Sequence, residues 1–252
     1  MSFSGTYESL KNRDFFFLWV GMLTLMFGMN MQMLVRSYFV YELESSGTIL
    51  GIVNAGSAIP MLTLALFGGV IADRLNKKRI IQSGQLLAGC VSLVVAVLIL
   101  SEAVTWVHLL IASIVQGGVF AFMMPARQAL IPQMVGQKLV SNAVALNAAA
   151  MSVSTLAAPT AAGLLYEFIG PGKVYLLITV LNFSSIIFTM LIKNKGYSVA
   201  PKNGSASDSN RPSVLIRDML QGLKYVRNNS FILILLAIAL STTILAQPFR
   251  FI

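Results

Sequence analysis

Arg36 is the residue best placed to bind a ligand, because it lies well inside a long apolar segment. A charged side chain at such depth usually faces a bundle interior or a water-filled cavity, since exposure to lipid is costly. Gln32 lies one helical turn earlier on the same face. Arg36 is therefore a candidate for binding an anionic group of a substrate, or a carboxylate across a cavity. The alternative is snorkelling to the lipid headgroups, because Arg36 lies only about two turns from the boundary near Glu42.

A second set of charged residues lies between two apolar segments, at residues 69–79, with the sequence GVIADRLNKKR. Asp73 follows Gly69 by four positions, and four cations come directly after it, Arg74, Lys77, Lys78 and Arg79. The segments on both sides are uncharged and long enough to cross a bilayer. Because Lys and Arg resist translocation, this pattern predicts a short loop on the cytoplasmic face.

The remaining reactive side chains indicate no catalytic centre. His108 has no Cys or carboxylate at ligand spacing, so it predicts no metal site. Cys90, the one cysteine, lies in an apolar run and is expected to be a small buried residue. Hydrolase elbows, phosphate loops and paired carboxylates are lacking. The sequence thus predicts that the protein is not an enzyme and needs no cofactor. The first six apolar segments also hold no acid at mid-depth, so no proton carrier is identified.

The composition places the chain in a bilayer. Hydrophobic residues make up 56% and charged residues 11% of the chain, and its mean hydropathy is +0.78, far from the averages of soluble domains. The net charge of +9 does not indicate nucleic-acid binding, since the cations lie between the apolar runs instead of clustering on one polar face.

Seven apolar segments meet or approach the roughly 20 residues that a membrane helix needs. None alternates polar and apolar residues as a barrel wall does, so the predicted fold is an all-α membrane bundle. The segments are Phe15–Tyr41, Gly47–Ala72, Ile80–Ser101, Ala103–Pro125, Val140–Tyr166, Val174–Ile192 and Ser230–Phe249.

Three regions follow from this pattern. Residues 1–193 are predicted to form a six-helix bundle, residues 194–229 a cytoplasmic linker, and residues 230–252 a seventh helix. The linker is rich in Asn, Ser, Gly and Lys, and its second half, Val214–Val226, has the pattern of an amphipathic helix on the inner membrane surface. A seventh helix after a long linker predicts the start of a second bundle, which this chain lacks.

The distribution of cations predicts that the N-terminus is cytoplasmic. With that orientation fifteen of the eighteen Lys and Arg residues, Arg127 among them, fall on the inside, while the outer loops carry only Lys173. Arg36 and Arg250 lie in helices or at their ends.

The two halves of the six-helix bundle show a weak similarity. The second helix ends with Gly69 and Asp73, and the fifth with Gly163 and Glu167, so that an acid follows each glycine by four positions. On the predicted topology these ends face opposite sides of the membrane, as in the inverted three-plus-three repeats of secondary transporters. Chance matching is the alternative, since Gly and Ala are common in membrane helices.

Together these residues resemble the major facilitator superfamily, and within it the drug exporters of the macrolide-efflux and enterobactin-exporter type. The loop motif G-x-x-x-D-R-x-G-[RK]-[RK] appears as Gly69, Asp73, Arg74, Lys77 and Lys78. The stretches MPARQALIP (residues 124–132) and NAVALNAAA (residues 142–150) are also similar to this branch. The resemblance implies a drug:proton antiporter in which Asp73 caps a helix of a second bundle and latches the outward-facing state.

Three positions depart from the family pattern. Asn76 replaces the second glycine of the loop motif, which we attribute to the tolerance of Asn for positive φ. Ser113 stands where many antiporters carry an arginine in helix four. The antiporter motif of helix five is reduced to Ala158, Pro159, Ala162 and Gly163. Proton relay by helix four is therefore not expected.

The sequence predicts the N-terminal half of a major-facilitator exporter in the inner membrane of a bacterium. It would export a bulky, partly apolar small molecule by alternating access, with protons as the coupling ion, and the chain alone would not transport. The alternatives are a permease subunit of an ATP-driven exporter and a non-transporting membrane fragment. The residues expected to line the cavity are Gln32, Arg36, Gln116, Met123 and Asn147.

Overall fold

A computed structural model of the chain describes residues 8–193, apart from the side chains of Leu66, Val70, Asp73 and Arg74. The chain divides into the units Met1–Val199 and Ala200–Ile252, and the described residues belong to the first unit. The predicted linker, its amphipathic helix and the predicted seventh helix lie outside the described residues.

Residues 8–193 are almost entirely helical, with no strand among them. Five helices are long and apolar enough to cross a membrane, in agreement with the predicted all-α membrane fold. They are α1 (Arg13–Glu44), α2 (Gly47–Arg74), α3 (Lys77–Leu100), α4 (Trp106–Val135) and α5 (Val140–Met190), with short 3₁₀ helices at Glu8–Lys11 and Gln137–Leu139.

Helix α5 consists of two helices joined at Gly170, whose φ of 78° and ψ of 165° are not helical. We call residues 140–169 α5a and residues 171–190 α5b. Glycine suits this position because it has no Cβ to clash at positive φ. The chain reverses there: α5a runs parallel to α1, since Trp19 bonds Leu146 and Glu42 bonds Tyr166, whereas α5b runs antiparallel to it.

Small residues let α1 and α3 approach α5b closely. A Cβ on Gly21 would lie 3.0 Å from Ser185 O, and one on Gly28 would lie 3.0 Å from Asn182 Oδ1. On α3, Gly89 lies against the Phe183 ring. In lipid, helices associate through such close packing and through hydrogen bonds between them, because apolar burial alone gives little gain.

Helices α2 and α4 run side by side in a still closer contact. Ser113 Oγ donates to Val53 O at 2.7 Å, and a Cβ on Gly117 would come within 2.1 Å of Ser57 O. A Cβ on Gly68 would come equally close to Ala121 O. Pro125 has no N–H to donate to that carbonyl within α4, so the approach of Gly68 occupies the space beside a carbonyl that lacks its helical partner.

The helix ends form two differently charged ends of the bundle. At one end, which we call the basic end, Ser9 Oγ donates to Asn142 Oδ1 at 2.6 Å, Asn12 Nδ2 to Met134 O at 2.7 Å and the Lys193 N–H to Asp14 Oδ1 at 3.1 Å. The opposite, acidic end carries Glu42, Glu44, Glu102 and Glu167 together with Lys173.

Two expectations about local structure were wrong. Helix α4 continues to Val135, ten residues beyond the predicted limit at Pro125, because a proline removes one hydrogen bond while the turns on either side are retained. Cys90 is exposed on α3 and not buried. In a membrane bundle the outward face is as apolar as the interior, so an apolar neighbourhood does not predict burial.

Candidate functional site

Two glutamines from different helices are bonded inside the bundle. Gln116 Nε2 of α4 donates to Gln32 Oε1 of α1 at 2.9 Å, and the two side chains are 8% and 2% exposed. This bond leaves Gln32 Nε2 and Gln116 Oε1 buried without partners among the described residues. The pair therefore offers one free donor and one free acceptor to a third group.

Arg36 lies one turn further along α1 and is 6% exposed. Tyr175 of α5b, a fully buried residue, interacts electrostatically with Arg36, and the Gln32 amide acts on its hydroxyl group. Arg36 Nε and the Tyr175 hydroxyl have no hydrogen-bond partner in the described part of the chain. Arg36, Gln32, Gln116 and Tyr175 thus form one buried polar group, which we call the interior cluster.

Arg127 forms a second buried polar group, nearer the basic end. We placed it among the inner loop cations, but it lies within α4 and is 3% exposed. Its Nη2 donates to Asn147 Oδ1 of α5a, and Nη1 contacts Met124 Sδ. The assignment to a loop failed because α4 extends two turns beyond Arg127.

The five residues expected to line one cavity therefore do not lie together. Gln32, Arg36 and Gln116 belong to the interior cluster, whereas Asn147 bonds Arg127. Met123 packs on α3, where its Sδ lies 3.4 Å from the Cβ position of Gly84.

The loop motif lies at the basic end, where α2 gives way to α3. Gly69 has no neighbour near its Cβ position, and the side chains of Asp73 and Arg74 lie outside the described part. Lys77 is buried, and Lys78 Nζ donates to Ile192 O at 2.7 Å, just beyond α5b. Lys78 therefore binds terminal carbonyls of a neighbouring helix in addition to its predicted role in topology.

The structure explains why Asn76 replaces the second glycine of the loop motif. Its φ is −66°, so tolerance of positive φ is not the reason for this residue. Instead its side chain accepts from the Arg79 N–H at 3.3 Å and caps α3, a role for which Asn is among the preferred residues.

The residues of the helix-five motif lie on two faces of α5a. Ala158 and Ala162 are fully buried, in line with the close packing that small residues permit. Gly163 is exposed with nothing near its Cβ position, and Pro159 is half-buried. The backbone of α5 is non-helical only at Gly170, so Pro159 does not break it.

Ser113 lies where the relay arginine of many antiporters would fall. It is fully buried and its hydroxyl binds the backbone of α2. The α2 backbone occupies the space that a longer side chain would need, which gives a steric reason for the departure.

Sequence reasoning missed Arg127 as an interior residue and Tyr175 altogether. The nearby prolines suggested that α4 ends before Arg127, so the sequence placed this residue in a loop. Tyr175 follows the turn at Gly170 and gave no signal, because tyrosines near helix ends commonly lie at the membrane interface.

Residues able to hold a metal do not cluster in the described region: no group of three or more His, Cys, Asp or Glu side chains is found among the residues searched.

Comparison with known proteins identifies the family. The profile of the transmembrane secretion effector family matches residues 4–245 of the chain. The chain belongs to this family. Its members are major-facilitator proteins, and the long apolar helices agree with a multi-pass membrane protein.

Two curated relatives of the family are similar to the chain. Macrolide efflux protein A of Streptococcus pyogenes is 26% identical over 229 residues, which cover 89% of this chain and 54% of the relative. Macrolide efflux protein A of Enterococcus faecalis is 28% identical over 186 residues, covering 72% of this chain and 55% of the relative. The chain thus spans about half the length of the curated relatives it matches.

Proposed function

We propose that the chain forms the N-terminal part of an exporter that moves a bulky, partly apolar small molecule out of a bacterial cell by alternating access. The family match over residues 4–245 carries this proposal. The relatives' names add macrolides as the first compounds to test. Because those relatives are about twice as long, we propose that a second helical bundle completes the transport path.

The charge distribution supports a cytoplasmic N-terminus in the inner membrane. Lys11, Arg13, Lys138 and Lys193 lie at the basic end with the cations of the loop motif. A cluster of this kind is retained on the cytoplasmic side. With α5 counted as two crossings, we propose six crossings before the linker and a seventh after it.

An inverted repeat is supported by the placement of the two buried arginines. Arg36 lies eight residues before the end of α1, and Arg127 lies eight residues before the end of α4. These helix ends are at opposite ends of the bundle, as an inverted three-plus-three repeat requires.

Proton entry is the proposed driving force, and its carrier would lie outside the described side chains, among which the one buried carboxylate, Asp14, is at the basic end. In cells without their own exporters, expression of the complete gene product should lower accumulation of labelled erythromycin. Asp73→Asn should restore accumulation without lowering membrane insertion, because the proposed latch would lose its charge. Export that persists after the proton gradient is collapsed, with ATP maintained, would contradict proton coupling.

A further inference from the structure

We propose that the interior cluster is a binding site for an oxyanion, and that its ligand is the carboxylate-type group of a small amphipathic molecule. This goes beyond the family assignment, which specifies no charge for the transported compound. The site would comprise Arg36 and Gln32 of α1, Gln116 of α4 and Tyr175 of α5b.

The free hydrogen-bonding groups of the cluster match an anion. Arg36 Nε is buried without a partner in the described part, and the Tyr175 hydroxyl, on which the Gln32 amide acts, keeps its own O–H to donate. Gln116 Oε1 is free to accept an O–H or N–H of the same ligand. Exchanging the amide ends of both glutamines keeps one free donor and one free acceptor, but it moves the donor to Gln116 and the acceptor to Gln32.

The charge of Arg36 also requires an anion. A buried cation is costly unless it is paired, and Arg36 forms no ion pair with any described residue. The one buried carboxylate among the described side chains, Asp14, lies 22 residues away at the other end of α1, which is about 33 Å at the rise of an α-helix. Arg127 also has an unpartnered Nε, but its Nη2 donates to Asn147 Oδ1.

A cavity lies at the acidic end of the bundle, and none of the four cluster residues lines it. It has a volume of about 480 Å³ and is lined by Phe39 and Leu43 of α1, Ile99 and Leu100 of α3, and the turn at Gly170. Phe39 lies one turn beyond Arg36, and Lys173 on the cavity wall lies two residues before Tyr175. The volume is typical of small-molecule pockets. The cavity wall is mostly apolar but includes Glu102 and Lys173, so it suits the apolar body of a ligand whose anionic group lies one turn deeper, at Arg36.

The physiological meaning of this site rests on the proposed export function, but the binding itself does not. The two can therefore be tested apart. Export is measured in cells with the complete gene product, whereas anion binding is measured with the purified chain in lipid nanodiscs.

The binding test uses radiolabelled 2-naphthoate as the anionic probe and 2-naphthamide as its neutral counterpart. We expect saturable binding of the naphthoate and much weaker binding of the amide. Arg36→Gln should weaken naphthoate binding by about 10- to 100-fold, the range for loss of a hydrogen bond to a charged group. Tyr175→Phe and Gln32→Leu should each weaken it several-fold, which guards against a fold defect peculiar to the arginine variant.

Matched controls use residues outside the site. Arg79→Gln removes an exposed arginine at the basic end, and Tyr38→Phe removes the hydroxyl of an exposed tyrosine two positions from Arg36. Both variants should bind naphthoate as the unmodified chain does. Circular dichroism and size-exclusion chromatography establish that each variant retains its helices.

Three results would overturn the proposal. One is equal binding of the amide and the carboxylate, and a second is unchanged naphthoate binding by Arg36→Gln. In the third, the unmodified chain does not bind naphthoate, and Arg36→Gln unfolds at a higher temperature than the unmodified chain. That result would mean that Arg36 pairs with an acidic side chain of another protein segment and not with a ligand. Binding that is confirmed while export fails would leave the site intact and remove only its role in transport.

Discussion

Arg36 and Arg127 show how two buried arginines can differ in their surroundings. Both are less than 10% exposed, and the Nε of each has no partner among the described residues, but Arg127 Nη2 donates to Asn147 Oδ1. The hydrogen bond to Asn147 makes Arg127 part of the contact between α4 and α5a. The free donors of Arg36 make it available for a ligand.

At the scale of single residues we predict that Asn147→Ala destabilises the bundle. The change removes an acceptor from a buried guanidinium, which should cost about 1.5–3 kcal/mol. Thermal unfolding in detergent, followed by circular dichroism, measures the effect. Asn30→Ala is the matched control, because Asn30 Nδ2 bonds Met26 O of its own helix. Equal midpoints for the two variants would show that Asn147 contributes nothing specific to Arg127.

The close contact between α2 and α4 depends on glycine at two positions. Gly68 and Gly117 each face a backbone carbonyl of the neighbouring helix, at a separation that excludes a Cβ. The neighbouring Gly69 has open space beside it. Two adjacent glycines in α2 therefore have different roles, one in packing and one in the loop motif.

At the scale of elements, Gly68→Ala should destabilise the bundle by about 1–3 kcal/mol, the usual cost of overpacking. The added methyl group would meet Ala121 O and force α2 away from α4. Gly69→Ala is the control and should be neutral or slightly stabilising, since alanine is the better helix former. The two midpoints are compared by the same unfolding measurement. A Gly68→Ala protein as stable as the control would mean that the contact can relax.

A second prediction at this scale concerns the end of α5b. Lys78→Met should lower stability by about 1 kcal/mol, because Lys78 Nζ donates to Ile192 O and is a cation near a helix C-terminus. Arg79→Met removes the neighbouring exposed cation and should change stability by less than about 0.5 kcal/mol. If both variants unfold at the same temperature, Lys78 acts in topology alone.

Most cations of the described bundle lie at one of its two ends. The basic end gathers the start of α1, the loop motif and the end of α4, while the acidic end holds Glu42, Glu102 and Glu167. This polarity supports the proposed orientation.

At the scale of the molecule, cysteine labelling tests that orientation. In a Cys90→Ser background, Glu102→Cys should react with a membrane-impermeant maleimide in intact cells, because this exposed residue lies at the acidic end. Lys138→Cys, exposed at the basic end, should react only after the cells are opened. The Cys90→Ser protein alone serves as the blank. Reaction of Lys138→Cys in intact cells would reverse the proposed topology.

Much of the fold could be predicted from the sequence because lipid imposes simple rules. Long uncharged runs must be helices, since backbone groups in hydrocarbon need internal partners. Five spans are found where the sequence predicted six, because the fifth and sixth predicted segments form the single element α5. The boundaries were less predictable where prolines lie inside a helix. Pro125 suggested an end to α4, but the chain continued in the same helix to Val135.

The sequence by itself determined that the chain is helical, lies in a membrane and carries its cations at one end, because these properties depend only on local composition and on the cost of moving charge through lipid. The tertiary structure decided which polar residues meet. Gln32 and Gln116 are 84 positions apart and bond each other, and Asn147 pairs with Arg127 instead of joining them. Pairings between helices depend on how each helix is rotated and how closely glycines let backbones approach, and neither quantity is encoded in the apolarity of a single segment.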